Sequence, residues 1–508
     1  MNVKKLVCSI ISLSLLVNCG IAALPVSASA VDTDTEIYIS PDGNDSNSGS
    51  SESPFKTLER AKAEVRVHNS NMSGNIIVNI ASGVYYMDNT LEFTQADSGT
   101  NGFSVIYRGI TDENGNSPIV SGGVDISDNW ELYDESLNIY KHENIDWSFR
   151  QLYTNNDRAI RARVPNLENK ETGGPYFRAS GGDGSYPLFI GTNNEYAQKA
   201  GNDAEIIWNS SWSQFRARIE SYNSSTGRVT FKAPDNSFAW NHHTQGDTPF
   251  YLENSLAYLD SEGEWYLDKD TSTLYYKPRE GEIMNKTEII APKLETIIDI
   301  NGTDENKTEN ITFDGIQFLH SNWLAPDSYG YCSVQGGFRY QSEGGKDNSA
   351  IRGSARYDAP KSMVQLRHTK NISLINSEFS FSGSWGIMGY EDTENTFIDH
   401  NVFTKNAGGG VTMGMAGREW DDQTENEQPR TYTDMDGQSR YDTITNNYID
   451  HVACEYQDMV GIGAMLPQHM TIANNEIGYL PYTGINIGWN WLDTDHGMTA
   501  NKVYQNYI

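Results

Sequence analysis

The last third of the chain repeats one short pattern: an apolar residue, two variable residues, asparagine, a variable residue and a second apolar residue. The repeated asparagines are Asn401, Asn447, Asn475 and Asn506, and Ser377 takes their place in an earlier copy. The copies lie 24, 46, 28 and 31 residues apart. A unit of this length cannot bury its own apolar face, so neighbouring units must stack. The pattern predicts a right-handed parallel β-helix in which each asparagine hydrogen-bonds to the next coil.

Three glycines keep a constant distance from this repeat. Gly386, Gly410 and Gly484 each lie nine residues after the asparagine or serine position. Each is followed by an apolar residue, namely Ile387, Val411 and Ile485. Strand alternation would turn the apolar residues inward and the glycines outward, giving a surface that a ligand can approach closely. The alternative is that these glycines only relieve crowding at a bend.

One coil breaks this count. Gly461 lies fourteen residues after Asn447 instead of nine, so five extra residues fall within HVACEYQDMVGIG (451–463). These residues include Glu455 and Asp458. We expect a bulge that places two acids beside the glycines, and the alternative is a pair of solvated loop acids.

The remainder of the chain completes an all-β prediction. Residues 31–167 are expected to form the first β-helix coils, with a helix from Thr57 to Arg66 that covers the open end. Residues 168–295 alternate polar and apolar side chains between turn residues, which predicts an inserted antiparallel β module. Residues 296–508 hold the main repeats, whose C-terminal coils we expect to be missing. Two long polar insertions, 319–362 and 412–441, are expected to carry functional residues.

The first 30 residues have the features of a signal peptide. Lys4 and Lys5 precede an apolar segment, and Ala28-Ser29-Ala30 fits a cleavage site. Cleavage would remove two lysines and no acids, changing the formal net charge from −31 to −33. We therefore expect a secreted monomer with no nucleic-acid partner and no membrane span. Cys332 and Cys454 would remain, too few for a disulfide scaffold, and whether they pair is left open.

Four segments together resemble a known family: YISPDGNDSNSGSSESPFKTLERAKAEVR (38–66), RQLYTNNDRAIRARVPN (150–166), YLENSLAYLDSEGEWYLDKDTSTLYYKPREGE (251–282) and ANNEIGYLPYTGINIGWNW (473–491). They are similar to glycoside hydrolase family 141 and its pectate-lyase-like β-helix relatives, and the similarity spans nearly all of 36–508. The resemblance implies hydrolysis of a plant cell-wall glycan, either xylan or a fucosylated pectic side chain. It leaves open whether the second catalytic acid lies within the chain or beyond residue 508.

Glycoside hydrolysis uses two carboxyl groups, so the acids near the glycines are the catalytic candidates. The catalytic candidates are Asp458, Glu455, Asp493 and Asp495. Sugar rings pack their apolar faces on aromatic side chains and need polar partners for their hydroxyl groups. The substrate-binding candidates are Trp489, Trp491, Tyr482, Asn486, Trp385, Trp420 and His496. No metal site and no cofactor are expected, although a D-x-D-G sequence within 433–442 leaves calcium open.

Two other functions fit parts of the sequence. A polysaccharide lyase acting on uronate glycans would use a basic residue as its catalytic base, and the insertions contain Arg339, Arg352, Arg356 and Arg418. A non-catalytic β-helix that binds carbohydrate or mediates adhesion would need no acid pair. The products separate these classes, because a lyase makes an unsaturated sugar and an adhesin makes none.

Overall fold

The structure is a computed structural model in which the chain winds repeatedly through three parallel β-sheets. It describes residues 34–169, 173–182, 188–210, 212–232, 247–333, 335–338, 340–343, 356–414, 437–488 and 497–508. Each complete coil contributes one short strand to each sheet, and strands in successive coils pair in parallel. The predicted all-β fold with stacked parallel coils is confirmed.

Each of the three sheets runs through successive coils. The first sheet consists of Thr35–Ile39, Ile76–Ala81, Val105–Ile110, Thr308–Asp314, the second half of Ser362–Ile375, Phe397–Asp399, Thr443–Thr445, Thr471–Ala473 and Lys502–Tyr504. The second consists of Val84–Tyr86, Ile119–Ser121, Gln317–Leu319, Glu378–Ser380, Val402–Thr404, Tyr448–Asp450 and Glu476–Gly478. The third consists of Leu91–Phe93, Ile298–Asn301, the first half of Ser362–Ile375, Trp385–Glu394, Val411–Met413, Ile462–Ala464 and Ile485–Ile487.

A helix lies beside the first coil, as expected. It spans Leu58–His68, and the side chain of Thr57 accepts a hydrogen bond from the backbone N–H of Arg60 at its start. Its buried side chains are Leu58, Ala61 and Val65, and they belong to the same apolar core as the β-helix interior. In the described part of the chain the other helices are Glu195–Lys199 and Ala325–Tyr329, with single 3-10 turns at Asn69–Asn71, Gln95–Asp97 and Leu256–Tyr258. Among the described residues no helix has the length and apolar character needed to cross a membrane.

Between the early coils and the main repeats lies a set of mainly antiparallel strands, called the module below. Its first strand, Gly123–Asp125, pairs with its last, Ile289–Pro292. Between these lie Glu131–Asp134, Ile139–His142, Tyr153–Thr154, Asp157–Arg158, Ile160–Arg161, Arg163–Val164, Phe177–Arg178, Gly181–Gly182, Leu188–Phe189, Glu205–Ser210, Ser213–Asn223, Arg228–Phe231, Pro249–Glu253, Glu264–Asp268 and Thr273–Tyr276. The module has its own apolar clusters, and it meets the β-helix where Ser213–Asn223 pairs with Tyr331–Cys332. A separate pair joins Tyr340–Glu343 to Arg356–Asp358.

The repeated asparagines form the predicted ladder inside the β-helix. The side-chain oxygen of Asn447 accepts the backbone N–H of Asn401 at 3.0 Å, and Asn475 does the same for Asn447. Asn506 continues the series by accepting from Asn475. Each amide nitrogen also donates to a backbone carbonyl, as Asn475 does to Ile444 at 3.0 Å. The spacing in sequence therefore reflects a hydrogen-bonded column of side chains that are buried at Asn401, Asn447 and Asn475 and partly exposed at Asn506.

Replacing Asn475 by Ala should remove two hydrogen bonds to backbone groups of this column. The backbone N–H of Asn447 and the carbonyl oxygen of Ile444 would both lose their partner inside the protein. We expect a loss of about 1–3 kcal/mol in the free energy of unfolding. Urea unfolding followed by tryptophan fluorescence measures it, and an unchanged midpoint would contradict the structural role of the ladder.

The glycines do not form the outward surface predicted from the sequence. The inward column is confirmed, because Ile387, Val411, Ile462 and Ile485 pair in consecutive coils against the interior. The glycines, however, face the core at the corner where these strands begin: Gly386 is the second residue of Trp385–Glu394, and the other glycines directly precede their strands. A side chain at Gly386 would lie 2.9 Å from the carbonyl oxygen of Gly410 and from the ring of Phe403. They relieve crowding at the corner, which was the alternative explanation.

Candidate active site

The bulge, defined as residues 452–460, is the place where the regular coils are interrupted. Val411 pairs with Ile462, so the extra residues lie between Asn447 and Gly461 as the sequence count predicted. The N–H groups of residues 453–456 donate to carbonyl oxygens of residues 406–408 at 2.6–3.0 Å. The bulge is therefore hydrogen-bonded to the preceding coil along its first half.

Two buried side chains of the bulge pack against the coils. Met459 lies so close to Gly337 and Gly408 that a side chain added at either glycine would collide with it. The ring of Tyr456 packs edge-on against Trp323 and against Tyr331. This packing leaves the polar side chains of the bulge directed at the module and at the strand Tyr331–Cys332.

Asp458 is enclosed by hydrogen-bond donors from two directions. Its carboxylate accepts the hydroxyl of Tyr331 at 2.8 Å and the hydroxyl of Ser333, and the backbone N–H of Gln214 in the module also donates to it. Only 3% of Asp458 is exposed. Burial raises the pKa of Asp458 to about 6, although these hydrogen bonds act in the opposite direction. This carboxyl group can therefore hold a proton in mildly acidic solution.

Glu455 stands three residues earlier and has the opposite electrostatic environment. One carboxylate oxygen accepts from Arg158 at 2.6 Å and the other accepts from Gln151 at 2.9 Å. Burial alone would raise its pKa, but the charges of Arg158 and Arg216 outweigh that effect and lower the pKa of Glu455. The pKa values of two carboxyl groups on one bulge are thus shifted in opposite directions, as in many acid–base pairs.

A chain of buried ion pairs in the module supports the bulge. Arg216 donates to the backbone carbonyl of Glu455 at 2.6 Å and to the carboxylate of Glu253 at 2.7 Å. The remaining ion pairs, in order, join Glu253 to Arg161, Arg161 to Glu205, Glu205 to Arg150, Arg150 to Asp327 and Asp327 to Lys269. The position of the bulge therefore depends on charges that the module contributes.

Tyr482 and Asn486 lie beside Gln335 and Gly336, close in sequence to Ser333. The amide of Gln335 donates to the hydroxyl of Tyr482 at 3.2 Å, and a side chain at Gly336 would lie 3.1 Å from the amide of Asn486. Gln335 is two residues from Ser333, whose hydroxyl contacts Asp458. All three side chains are partly exposed. The structure thus brings these two predicted substrate-binding residues to the segment that encloses Asp458.

Among the described residues, Trp385 is the remaining predicted substrate-binding residue. Trp385 is fully buried; its ring stacks on Phe338, and its indole nitrogen donates to the carbonyl of Gly337 at 3.2 Å. In this structure Trp385 therefore contributes to packing. Outside the described residues lie Trp489, Trp491, Trp420, His496, Asp493 and Asp495.

The partners of the two acids come from segments for which the sequence predicted no specific role. Tyr331 and Ser333 belong to the insertion 319–362, which was expected to be functional only as a whole. Arg158 lies in the arginine-rich segment 150–166, and these repeated arginines between strands were the available signal. Nothing in the local sequence of Gln214 indicates a contact 244 residues away.

Metal ligands and a disulfide are not seen in the part of the chain that the structure describes. There, no three His, Cys, Asp or Glu side chains cluster in a way that could hold a metal ion. The start of the D-x-D-G sequence lies outside those residues. Cys332 is buried and Cys454 is exposed, and they form no disulfide with each other.

Known proteins match both the module and the whole chain. The family model described as the GH141 insertion domain matches residues 137–279. A solved structure titled "Glycoside hydrolase" matches with a TM-score of 0.81 and 25% sequence identity, covering 93% of this chain and 83% of that chain. A more distant structure, titled "The complex structure of XylC with xylose", has a TM-score of 0.43 and 13% identity, covering 93% and 62%. No curated protein sequence matches the chain. The insertion domain and the full-length structural likeness together make this protein a GH141-like glycoside hydrolase.

Proposed function

We propose that the protein is a secreted hydrolase of plant cell-wall polysaccharide, acting on xylan or on fucosylated pectic side chains, with Asp458 as its general acid. The observation that carries the proposal is the environment of Asp458. A buried carboxyl group with a pKa of about 6 stands on the bulge that interrupts the coils, hydrogen-bonded to Tyr331 and to the backbone of Gln214 in the module. Perturbed carboxyl groups of this kind are common at catalytic sites.

In this mechanism protonated Asp458 donates its proton to the glycosidic oxygen as the bond to the anomeric carbon breaks. A second, ionised carboxylate either attacks that carbon or removes a proton from the water molecule that attacks it. As the structure stands, Tyr331, Ser333 and the backbone of Gln214 enclose the carboxyl group of Asp458. The proposal therefore requires one of these neighbours to move aside when the substrate binds.

The second carboxylate is assigned to Asp493 or Asp495. Both oxygens of Glu455 are already engaged by Arg158 and Gln151, which suits a residue that holds the bulge against the module. Asp493 and Asp495 follow the strand Ile485–Ile487 within ten residues, and that strand carries Asn486 beside the candidate site. Their position in the sequence supports this assignment.

A neutral glycan suits the charge of this protein. The formal net charge is −31, which repels polyuronate chains. Near Asp458, the guanidinium groups of Arg158 and Arg216 are paired with carboxylates of the protein. These observations favour xylan or a fucosylated side chain over an anionic pectate backbone.

Product analysis tests the proposed reaction class. The protein is incubated with xylan and with fucosylated pectic oligosaccharides in water enriched in ¹⁸O. We expect new reducing ends that carry one ¹⁸O atom for each bond cleaved. An unsaturated sugar that absorbs ultraviolet light would indicate a lyase, and binding without products would indicate a carbohydrate-binding protein; either result would contradict hydrolysis.

The pH dependence of kcat/KM should show the ionisation of Asp458. Because the acid must be protonated in the free enzyme, kcat/KM should fall about tenfold per pH unit above about 6. The stability of the fold provides the control. Because burial raises the pKa of Asp458 above its ordinary value of 3.8, its contribution to the free energy of unfolding falls as the pH rises from about 3.8 to about 6. Above that pH the contribution is constant. A flat profile of kcat/KM from pH 6 to 8 would count against Asp458.

A further inference from the structure

One hairpin of the module reaches the bulge and carries an exposed tryptophan at its turn. The hairpin, called the arm hairpin below, consists of Glu205–Ser210 and Ser213–Asn223, and Ser210 pairs with Ser213. Trp212 therefore lies at its turn, directly before the second strand. The exposed fraction of Trp212 is 39%, which is high for the largest apolar side chain. No motif in the sequence points to this residue.

Contacts on both strands place the turn beside Asp458. The amide nitrogen of Asn209 donates to the side-chain oxygen of Gln457 at 2.8 Å, and the backbone N–H of Gln214 donates to the carboxylate of Asp458. Trp212 lies two residues from Gln214, so their Cα atoms are within about 7 Å. The tryptophan is thus held near the proposed general acid by a rigid hairpin.

The two residues that follow Trp212 in the sequence carry buried polar atoms without partners. The hydroxyl of Ser213 and both polar atoms of the Gln214 amide have no hydrogen-bond partner among the described residues, and Gln214 is only 1% exposed. Buried polar atoms in this state are rare, because each costs free energy that a partner would recover. A ligand rich in hydroxyl groups would supply such partners, directly or through a bridging water molecule.

We propose that the arm hairpin forms a subsite for one uncharged sugar ring of the substrate, with Trp212 stacked on the apolar face of that ring. The inference rests on the proposed function for its location beside Asp458. An aromatic plane next to unsatisfied polar atoms matches the two sides of a sugar, namely its C–H face and its hydroxyl rim. The family-specific module would then contribute directly to substrate choice.

Binding measured in the Asp458→Asn background tests the subsite without turnover. The probes are xylotetraose and an α-fucosylated pectic oligosaccharide, and their affinities are measured by isothermal titration calorimetry. Adding Trp212→Ala should weaken binding of the preferred probe about 5- to 30-fold, the loss expected for one aromatic contact. Trp212→Phe should restore most of the affinity, because a smaller ring can still stack.

Tyr133→Ala is the matched control, since Tyr133 is also exposed and lies on the edge strand Glu131–Asp134 of another sheet in the module. It should leave affinity unchanged. Equal affinity with and without Trp212→Ala, or no binding of either probe, would overturn the subsite. Loss of affinity in a protein whose wild type hydrolyses neither probe would keep the subsite and refute the proposed function. Loss of turnover in Asp458→Asn, with no effect of Trp212→Ala on affinity, would keep the proposed function and refute the subsite.

Discussion

Asp458→Asn should lower kcat about 10²–10⁴-fold while leaving glycan binding close to that of the wild type. The asparagine side chain has nearly the same shape and can still accept the hydroxyl of Tyr331. It cannot deliver a proton to the glycosidic oxygen, so the leaving group would depart without acid assistance. Initial rates on the glycan that the wild type hydrolyses, together with calorimetric binding, measure the two effects separately.

Asp442→Asn is the matched control for this substitution. Asp442 is also a buried aspartate whose pKa is raised to about 6 by burial, but its carboxylate is bonded to Thr393 and Thr396 at another part of the coil. A general loss of fold would affect both variants, whereas loss of the acid affects only Asp458→Asn. Near-wild-type turnover in Asp458→Asn, or an equal loss in both variants at equal stability, would show that Asp458 is not the acid.

The architecture of the coils could be predicted because it depends on local spacing. The 46 residues between Asn401 and Asn447 correspond to a single step from one coil to the next in the hydrogen-bonded column, as do the shorter intervals. Gly461 could be aligned with Gly410 by counting, and the pairing of Val411 with Ile462 confirms that count. Period and register are properties of the chain itself, so a single sequence carries them.

The direction of the glycines could not be predicted by strand alternation, because they lie at the corner where the strands begin. Alternation holds only within the pleat, and Gly386 lies at the bend where the backbone of the next coil comes within 2.9 Å of an added side chain. The contacts of the bulge could not be predicted from the sequence either. Glu455 meets Arg158 across 297 residues, and only the docking of the module brings them together.

Arg150→Met should lower the free energy of unfolding by about 3–5 kcal/mol, a larger loss than we expect for Asn475→Ala. Arg150 is 1% exposed and donates two hydrogen bonds of 2.8 Å to the carboxylate of Glu205, in addition to its pair with Asp327. Methionine matches much of the volume of the arginine side chain but carries no charge. The largely buried carboxylates of Glu205 and Asp327 would therefore lose part of the positive charge that balances them. Urea unfolding at pH 7, followed by tryptophan fluorescence, measures the shift in midpoint against the wild type.

The pH dependence of this difference identifies its electrostatic origin. Burial alone would raise the pKa of Glu205, but the charges of Arg150 and Arg161 outweigh it and lower the pKa. A carboxylate with a lowered pKa contributes stability above its ordinary value of 4.5 and loses it as the pH falls. The gap between Arg150→Met and wild type should therefore narrow below about pH 4.

Lys199→Met, which removes an exposed pair with Glu195, should cost less than about 0.5 kcal/mol. If Arg150→Met costs no more than this control, the buried charges do not hold the module against the bulge.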